Sequence, residues 1–249
     1  MNQRMPAGNL PDITTTVQKF IAAQYPGALC AFIAGSHTRG QETPASDIDL
    51  VVMFDEDYAT PHRNSYIYDG WPIEVFVQNV KAQEYFFEQD RLRGMCVLAT
   101  MISEGDALGP DMDLATARKL RARAFIEAGP ATLTAEDVKR RVYTVCDALD
   151  DIRHPRPEGE LLGCLSELYL RLGDLYLRAQ NQWSGTSKQL YRRLALHNED
   201  LAAQYEKAFA KAFDGHRGPL LELADMMLEP LGGFTWAGYY AAANEKWRE

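Results

Sequence analysis

Asp47 and Asp49, in the string Ser46-Asp47-Ile48-Asp49-Leu50, are the residues of this 249-residue chain whose type and spacing point most directly to chemistry. In a β-strand, residues i and i+2 face the same side, so the two carboxylates project together while Ile48 and Leu50 enter a core. Carboxylates a few Å apart repel each other, and a divalent cation between them removes that cost. Upstream, Gly35-Ser36 closes the apolar run from Ala28 to Ala34. A glycine there lets the backbone turn tightly against a phosphate, and the serine adds a hydroxyl and an N–H donor. Glu74 alternates out of the core between Ile73 and Val75 and is a candidate third carboxylate. Asp47, Asp49 and Glu74 are therefore expected to hold Mg²⁺, which takes oxygen from a few carboxylates and from substrate phosphates.

Presenting these groups requires a sheet. Apolar runs read as strands over 28–34, 48–54 and 71–77, with a short strand Ser65 to Tyr68 among the turn formers of 55–70. Ile13, Val17, Phe20 and Ile21 recur at helical spacing, so 13–24 reads as an opening helix. A helix over 81–93, an apolar segment 95–102 and a loop 105–110 follow, then a helix capped by Asp111 or Asp113 that runs to about Ala128. Beyond Leu133 the pattern is helical throughout. Thr134-Ala135-Glu136-Asp137 caps a helix to about Ile152, and a break containing two prolines covers 154–159. Helices are expected near 160–181, 186–197, 199–213, 218–228 and 236–247. The first half is α/β (α+β), the second all-α, and Gly129-Pro130 separates domains of 1–130 and 131–249.

Composition narrows the chemistry. The chain is 46% apolar and 24% charged, ordinary for a soluble globular protein, and no apolar run approaches a membrane span. Met1 to Pro6 lack the layout of a secretion signal, so a cytoplasmic location is expected. With 26 Lys and Arg against 35 Asp and Glu, the net charge of −9 lacks the footprint of a general nucleic-acid binder. It suits a small substrate, a cationic one above all. Cys30, Cys96, Cys146 and Cys164 are widely separated and read as buried thiols, and no paired histidine motif indicates zinc.

The string G-S, ten residues, then D-I-D-L, followed by a strand bearing Glu, resembles the nucleotidyltransferase superfamily typified by DNA polymerase beta. The two-domain layout is most similar to the aminoglycoside nucleotidyltransferases and their uncharacterised relatives. Residues 33–77 carry the resemblance. A second likeness, to a W-x-G-x-x-K-x-L-x-R-x-L stretch of their helical domain, runs from Gln182 to Leu194, with Thr186-Ser187 where a glycine or second small residue is expected.

The resemblance implies a mixed sheet followed by a helical bundle. It also implies transfer of a nucleoside monophosphate, with ATP the expected donor, to a hydroxyl of a small, aminoglycoside-like molecule, with release of pyrophosphate. Two Mg²⁺ ions would be held by Asp47, Asp49 and Glu74, and Gly35 and Ser36 would meet the phosphates. Three carboxylates (about −3) and a triphosphate (about −4) outweigh two Mg²⁺, so further cations are useful. Lys188 and Arg192, four apart on one helix face and away from Leu190 and Leu194, are the candidates. Among the helical-half carboxylates Asp147, Glu167 and Asp174, Glu167 is the candidate general base because it sits mid-helix among apolar neighbours.

Other readings start from the same residues. Trp183, Trp236, Tyr239 and Tyr240 could stack a base or sugar, or simply pack. Arg192 and His197 fit the R-x(4–6)-H count of the HEPN ribonucleases but lie about 140° apart on an ideal helix. A protein- or RNA-modifying AMP transferase and a non-catalytic nucleotide-binding module are the competing functions.

Overall fold

The structure is a computed structural model that describes residues 10–40, 46–154 and 156–243. The chain divides into two compact units, Met1–Leu92 with Cys96–Gly129, and Arg93–Met95 with Pro130–Glu249.

The first unit is built on a mixed five-stranded sheet. Its strands are β1 (Cys30–Ala34), β2 (Ile48–Met53), β3 (His62–Tyr68), β4 (Trp71–Gln78) and β5 (Asp106–Leu108), in the order β3-β4-β2-β1-β5. Among the described residues only the β2–β4 pairing is parallel. Helix α1 (Ile13–Gln24) starts at Asp12, whose carboxylate accepts from Thr15 N at 2.8 Å. Its Val17 and Phe20 pack with one face of the sheet: Ala31 and Ile33 of β1, Ile48, Leu50 and Val52 of β2, and Ile73, Val75 and Val77 of β4. Phe20 is fully buried, with Tyr66 and Tyr68 edge-on to it, a burial worth about 2–3 kcal/mol. Strand alternation sends Asp49 and Glu74 to the opposite face. Helices α2 (Val80–Arg93) and α4 (Met112–Ala128) are clipped together by Glu84, which pairs with Arg118 at 3.3 Å and Arg121 at 2.6 Å.

Two expectations become definite in this unit and two change. The apolar segment after residue 95 forms helix α3 (Val97–Glu104), and Asp111 rather than Asp113 caps α4, accepting from Leu114 N at 2.8 Å. The loop expected over 105–110 contains β5, which pairs with Ala31 to Ile33; three residues are too few to show a period. Strand β3 starts at His62 rather than Ser65, because its whole length pairs with β4.

The second unit is helical: α5 (Ala135–Arg153), α6 (Glu158–Ala179), α7 (Lys188–His197), α8 (Glu199–Phe213) and α9 (Gly218–Leu228). A capping box opens α5: Asp137 N donates to the Thr134 hydroxyl, and the Asp137 carboxylate accepts from Thr134 N. Leu149, Leu165, Leu168, Leu190, Leu194 and Phe209 belong to one shared core. Arg178 is buried within the unit, and its Nη2 donates to Ala131 O at 2.6 Å. The last expected helix, 236–247, is not observed over 236–243, and 244–247 lie outside the described residues. Gly238 has φ +82, which an α-helix cannot accommodate. The aromatic segment instead lies along α5, with Tyr239 stacked on Tyr143 at 4.0 Å.

Candidate active site

Strand register assembles the site. In the antiparallel β1–β2 pair Ala34 stands opposite Asp49, and in the parallel β2–β4 pair Asp49 stands beside Glu74. Asp47 lies just ahead of β2. Asp47, Asp49 and Glu74 each bring a ligand oxygen within 4.8 Å of the others. Asp47 is exposed, while Asp49 and Glu74 are half-buried. An all-oxygen donor set of this kind suits Mg²⁺ or another hard cation rather than zinc.

Gly35 leaves β1 beside this cluster with φ +89, a conformation that side chains rarely adopt, and an added Cβ would overlap the Asp49 carboxylate. The glycine is thus required twice, by the turn and by the close approach. Ser36 then opens a 3-10 turn (His37–Arg39), and the Thr38 hydroxyl donates to Gly35 O at 3.2 Å, which fixes the bend. The His37 ring sits edge-on to Trp71 at 5.4 Å, and Trp71 Nε1 donates to Pro11 O at 2.9 Å. The side chain of Arg39 lies outside the described residues.

Glu74 has a cation of its own. The Arg63 guanidinium on β3 lies 2.6 Å from Glu74 Oε1 and 4.9 Å from the centre of the Phe76 ring. Arg63 is not among the residues expected from the sequence, because turn formers dominate 55–70. The period-2 placement of Asn64, Tyr66 and Tyr68 against Arg63, Ser65 and Ile67 was the available signal. A groove of about 290 Å³ adjoins the carboxylates, lined by Asp47, Ser65, Ile67, Pro72 and Glu74 among others.

Thiol chemistry has little support. Burial, and secondarily Asp111, pushes the Cys30 thiol up to about 12, and burial also raises Cys146 and Cys164. Cys30, Cys96 and Cys146 are buried, whereas Cys164 is only half-buried.

The remaining candidates belong to the helical unit. Glu167 corrects the premise that selected it: it is exposed and pairs with Arg171 at 2.5 Å on α6. Its sequence neighbours Leu165 and Leu168 are fully buried, but on another side of the helix. Asp147 is exposed, and Asp174 pairs with Arg141. Lys188 is exposed and Arg192 half-buried on α7, opposite the buried Leu190 and Leu194, and neither forms an ion pair among the described residues. Ser187, just before α7, has φ +49, consistent with a glycine-favouring position in that stretch. Trp183 is buried, so it packs rather than presents a stacking surface, whereas Trp236 and Tyr240 are exposed. His197 Nε2 lies 3.1 Å from Gln180 Oε1.

Residues 17–104 match the family model described as Nucleotidyltransferase domain. This segment contains β1, β2, β3, β4 and the three carboxylates, and it is similar to nucleotidyltransferase domains. No curated protein sequence matches the chain. Among solved structures, a nucleotidyltransferase-like protein from Exiguobacterium sibiricum aligns with 14% identity and a TM-score of 0.46, over 88% of this chain and 75% of its own.

Proposed function

We propose that the chain transfers a nucleoside monophosphate, AMP from ATP, to a hydroxyl of a small molecule of aminoglycoside-like character, releasing pyrophosphate. One observation carries the reading: Asp47, Asp49 and Glu74 converge within 4.8 Å beside a glycine whose Cβ-free face abuts Asp49. Those carboxylates would hold Mg²⁺, which when bound supplies charge neutralisation and polarises the reacting oxygens. Gly35 and Ser36 leave room for the phosphate tail to approach backbone and hydroxyl donors. The groove along Ser65, Ile67 and Pro72 supplies apolar surface and a hydroxyl next to Asp47 and Glu74, which suits a polyhydroxylated, positively charged acceptor. In the transfer, an acceptor oxygen bonds to the α-phosphorus as the bond to pyrophosphate breaks, and the hydroxyl proton departs to a base. Glu167, exposed and tied to Arg171, carries no part of this proposal. Lys188 and Arg192 remain proposed contacts for the phosphate tail. The net charge of −9 favours a cationic acceptor over nucleic acid.

The test is Mg²⁺-dependent pyrophosphate release across the four nucleoside triphosphates and a panel of aminoglycosides. Release with ATP and at least one aminoglycoside is expected. Label from ATP appearing instead on lysate protein or tRNA would move the acceptor to a macromolecule. No release with any acceptor, together with no melting shift on adding Mg²⁺ and ATP, would remove the reading.

A further inference from the structure

Arg63 occupies the sheet face that carries the candidate metal ligands. Its strand partner is Phe76, and Ser65, two residues on, stands opposite Glu74. The guanidinium pairs with Glu74 at 2.6 Å while its side chain stays 62% exposed, against 25% for Glu74. An exposed arginine stem can move without disturbing a core, and a planar guanidinium matches phosphate oxygens as well as carboxylates.

That pairing conflicts with metal binding. Once Glu74 holds a divalent cation, metal and guanidinium share one carboxylate, and their like charges repel at short range. A bound triphosphate reverses the balance, because it adds about four negative charges and leaves a surplus that two Mg²⁺ do not cancel. The sheet order β3-β4-β2-β1 sets Arg63 and the Gly35-Ser36 turn on opposite sides of the carboxylates. A triphosphate whose tail rested on the turn and whose α-phosphoryl group met the carboxylates would have that group on the Arg63 side.

We propose that Arg63 is a nucleotide contact that exchanges partners: it pairs with Glu74 in the unliganded protein and passes to an α-phosphate oxygen when Glu74 turns to the metal. This rests on the nucleotidyltransferase reading above and adds to it a residue outside the motif. It makes Arg63 an obstacle to metal alone and a help to metal with nucleotide.

Two calorimetric titrations separate these effects. Wild type, Arg63→Met and Arg63→Lys are titrated first with Mn²⁺ alone and then with α,β-methylene-ATP in excess Mg²⁺. Methionine keeps an apolar stem over Phe76 and deletes the charge. Arg63→Met is expected to bind Mn²⁺ about three- to fivefold more tightly, as an exposed ion pair is removed from Glu74. It should bind the nucleotide analogue about tenfold or more weakly, having lost a charge-assisted contact. Arg63→Lys, which retains the charge and serves as the folded control, should fall between in both titrations. Any pattern in Arg63→Met other than these opposed shifts overturns the exchange. Weaker binding in both titrations would make Arg63 a mere support for Glu74, and no change in either would make it a surface ion pair. Wild-type protein that takes up neither Mn²⁺ nor the analogue sinks the nucleotidyltransferase reading itself, a result distinguishable from both.

Discussion

In the sheet unit, Asp47, Asp49 and Glu74 bring their oxygens within 4.8 Å of one another, whereas in the helical unit several acidic residues are matched singly with arginines. There Asp137 meets Arg140, Asp174 meets Arg141, and Glu167 meets Arg171. The exposed Glu167–Arg171 pair is worth less than about 1 kcal/mol, and single pairs of this kind carry no implication of chemistry. Gathering three carboxylates raises electrostatic self-energy, and the strand register of β1, β2 and β4 imposes that gathering. The difference teaches where function is to be sought. Pairs standing apart from any cluster describe a surface, whereas convergent like charges, even with one member paired as Glu74 is with Arg63, describe a place suited to a cation.

The largest expected effect comes from Gly35→Ala, which attacks the gathered cluster without removing a carboxylate. The added Cβ overlaps Asp49 at a backbone φ of +89. Nucleotidyl transfer should fall at least about a hundredfold in kcat/KM, the scale of an ångström-level misplacement. Transfer within tenfold of wild type would mean that the close approach of Gly35 to Asp49 is dispensable.

A middle-sized effect belongs to the paired side. The Thr134 hydroxyl, against the opposing effect of burial and aided by the Thr134 backbone N–H and then by Arg140 and Arg141, holds the Asp137 carboxyl below its ordinary range. A carboxyl lowered in the folded state adds stability above its unfolded value, near 3.9, and loses that contribution as pH falls through the folded value. Asp137→Asn should therefore weaken amide-exchange protection of α5 by about 1 kcal/mol or less at neutral pH. The deficit should shrink as pH falls below the unfolded value and through the lowered folded one. A deficit that persists undiminished in strong acid would show that the charge is not its source.

The smallest effect is expected from Glu167→Gln. Losing an exposed i,i+4 pair costs about 0.5 kcal/mol or less, seen as a minor change in melting temperature, and transfer should stay within about twofold. A hundredfold loss of kcat would restore Glu167 as the base and erase the contrast between the two units.

How much of this could be read from residues alone follows the range over which each feature is determined. The side-by-side projection of Asp47 and Asp49, the outward position of Glu74 and the turn at Gly35 are local: they follow from period-2 alternation and backbone freedom within one strand or turn. Features set by partners were not legible. Strand β5 exists only because β1 offers an edge, and the Arg63–Glu74 contact depends on the β3–β4 register. The exposure of Glu167 is likewise hidden in the sequence, because adjacency to Leu165 and Leu168 along the chain is not adjacency in space on a helix. The aromatic tail was read as a helix because its residues are apolar and closely spaced, while a left-handed Gly238 and the stacking surface of Tyr143 decide otherwise.

The central claim is that the three convergent carboxylates form one cation site. Electron paramagnetic resonance titration of Mn²⁺ into wild type and Asp49→Asn tests it most directly, because it needs neither donor nor acceptor. Saturable binding by wild type and an affinity at least about tenfold lower in Asp49→Asn are predicted. Equal Mn²⁺ affinity in the two proteins would contradict the account.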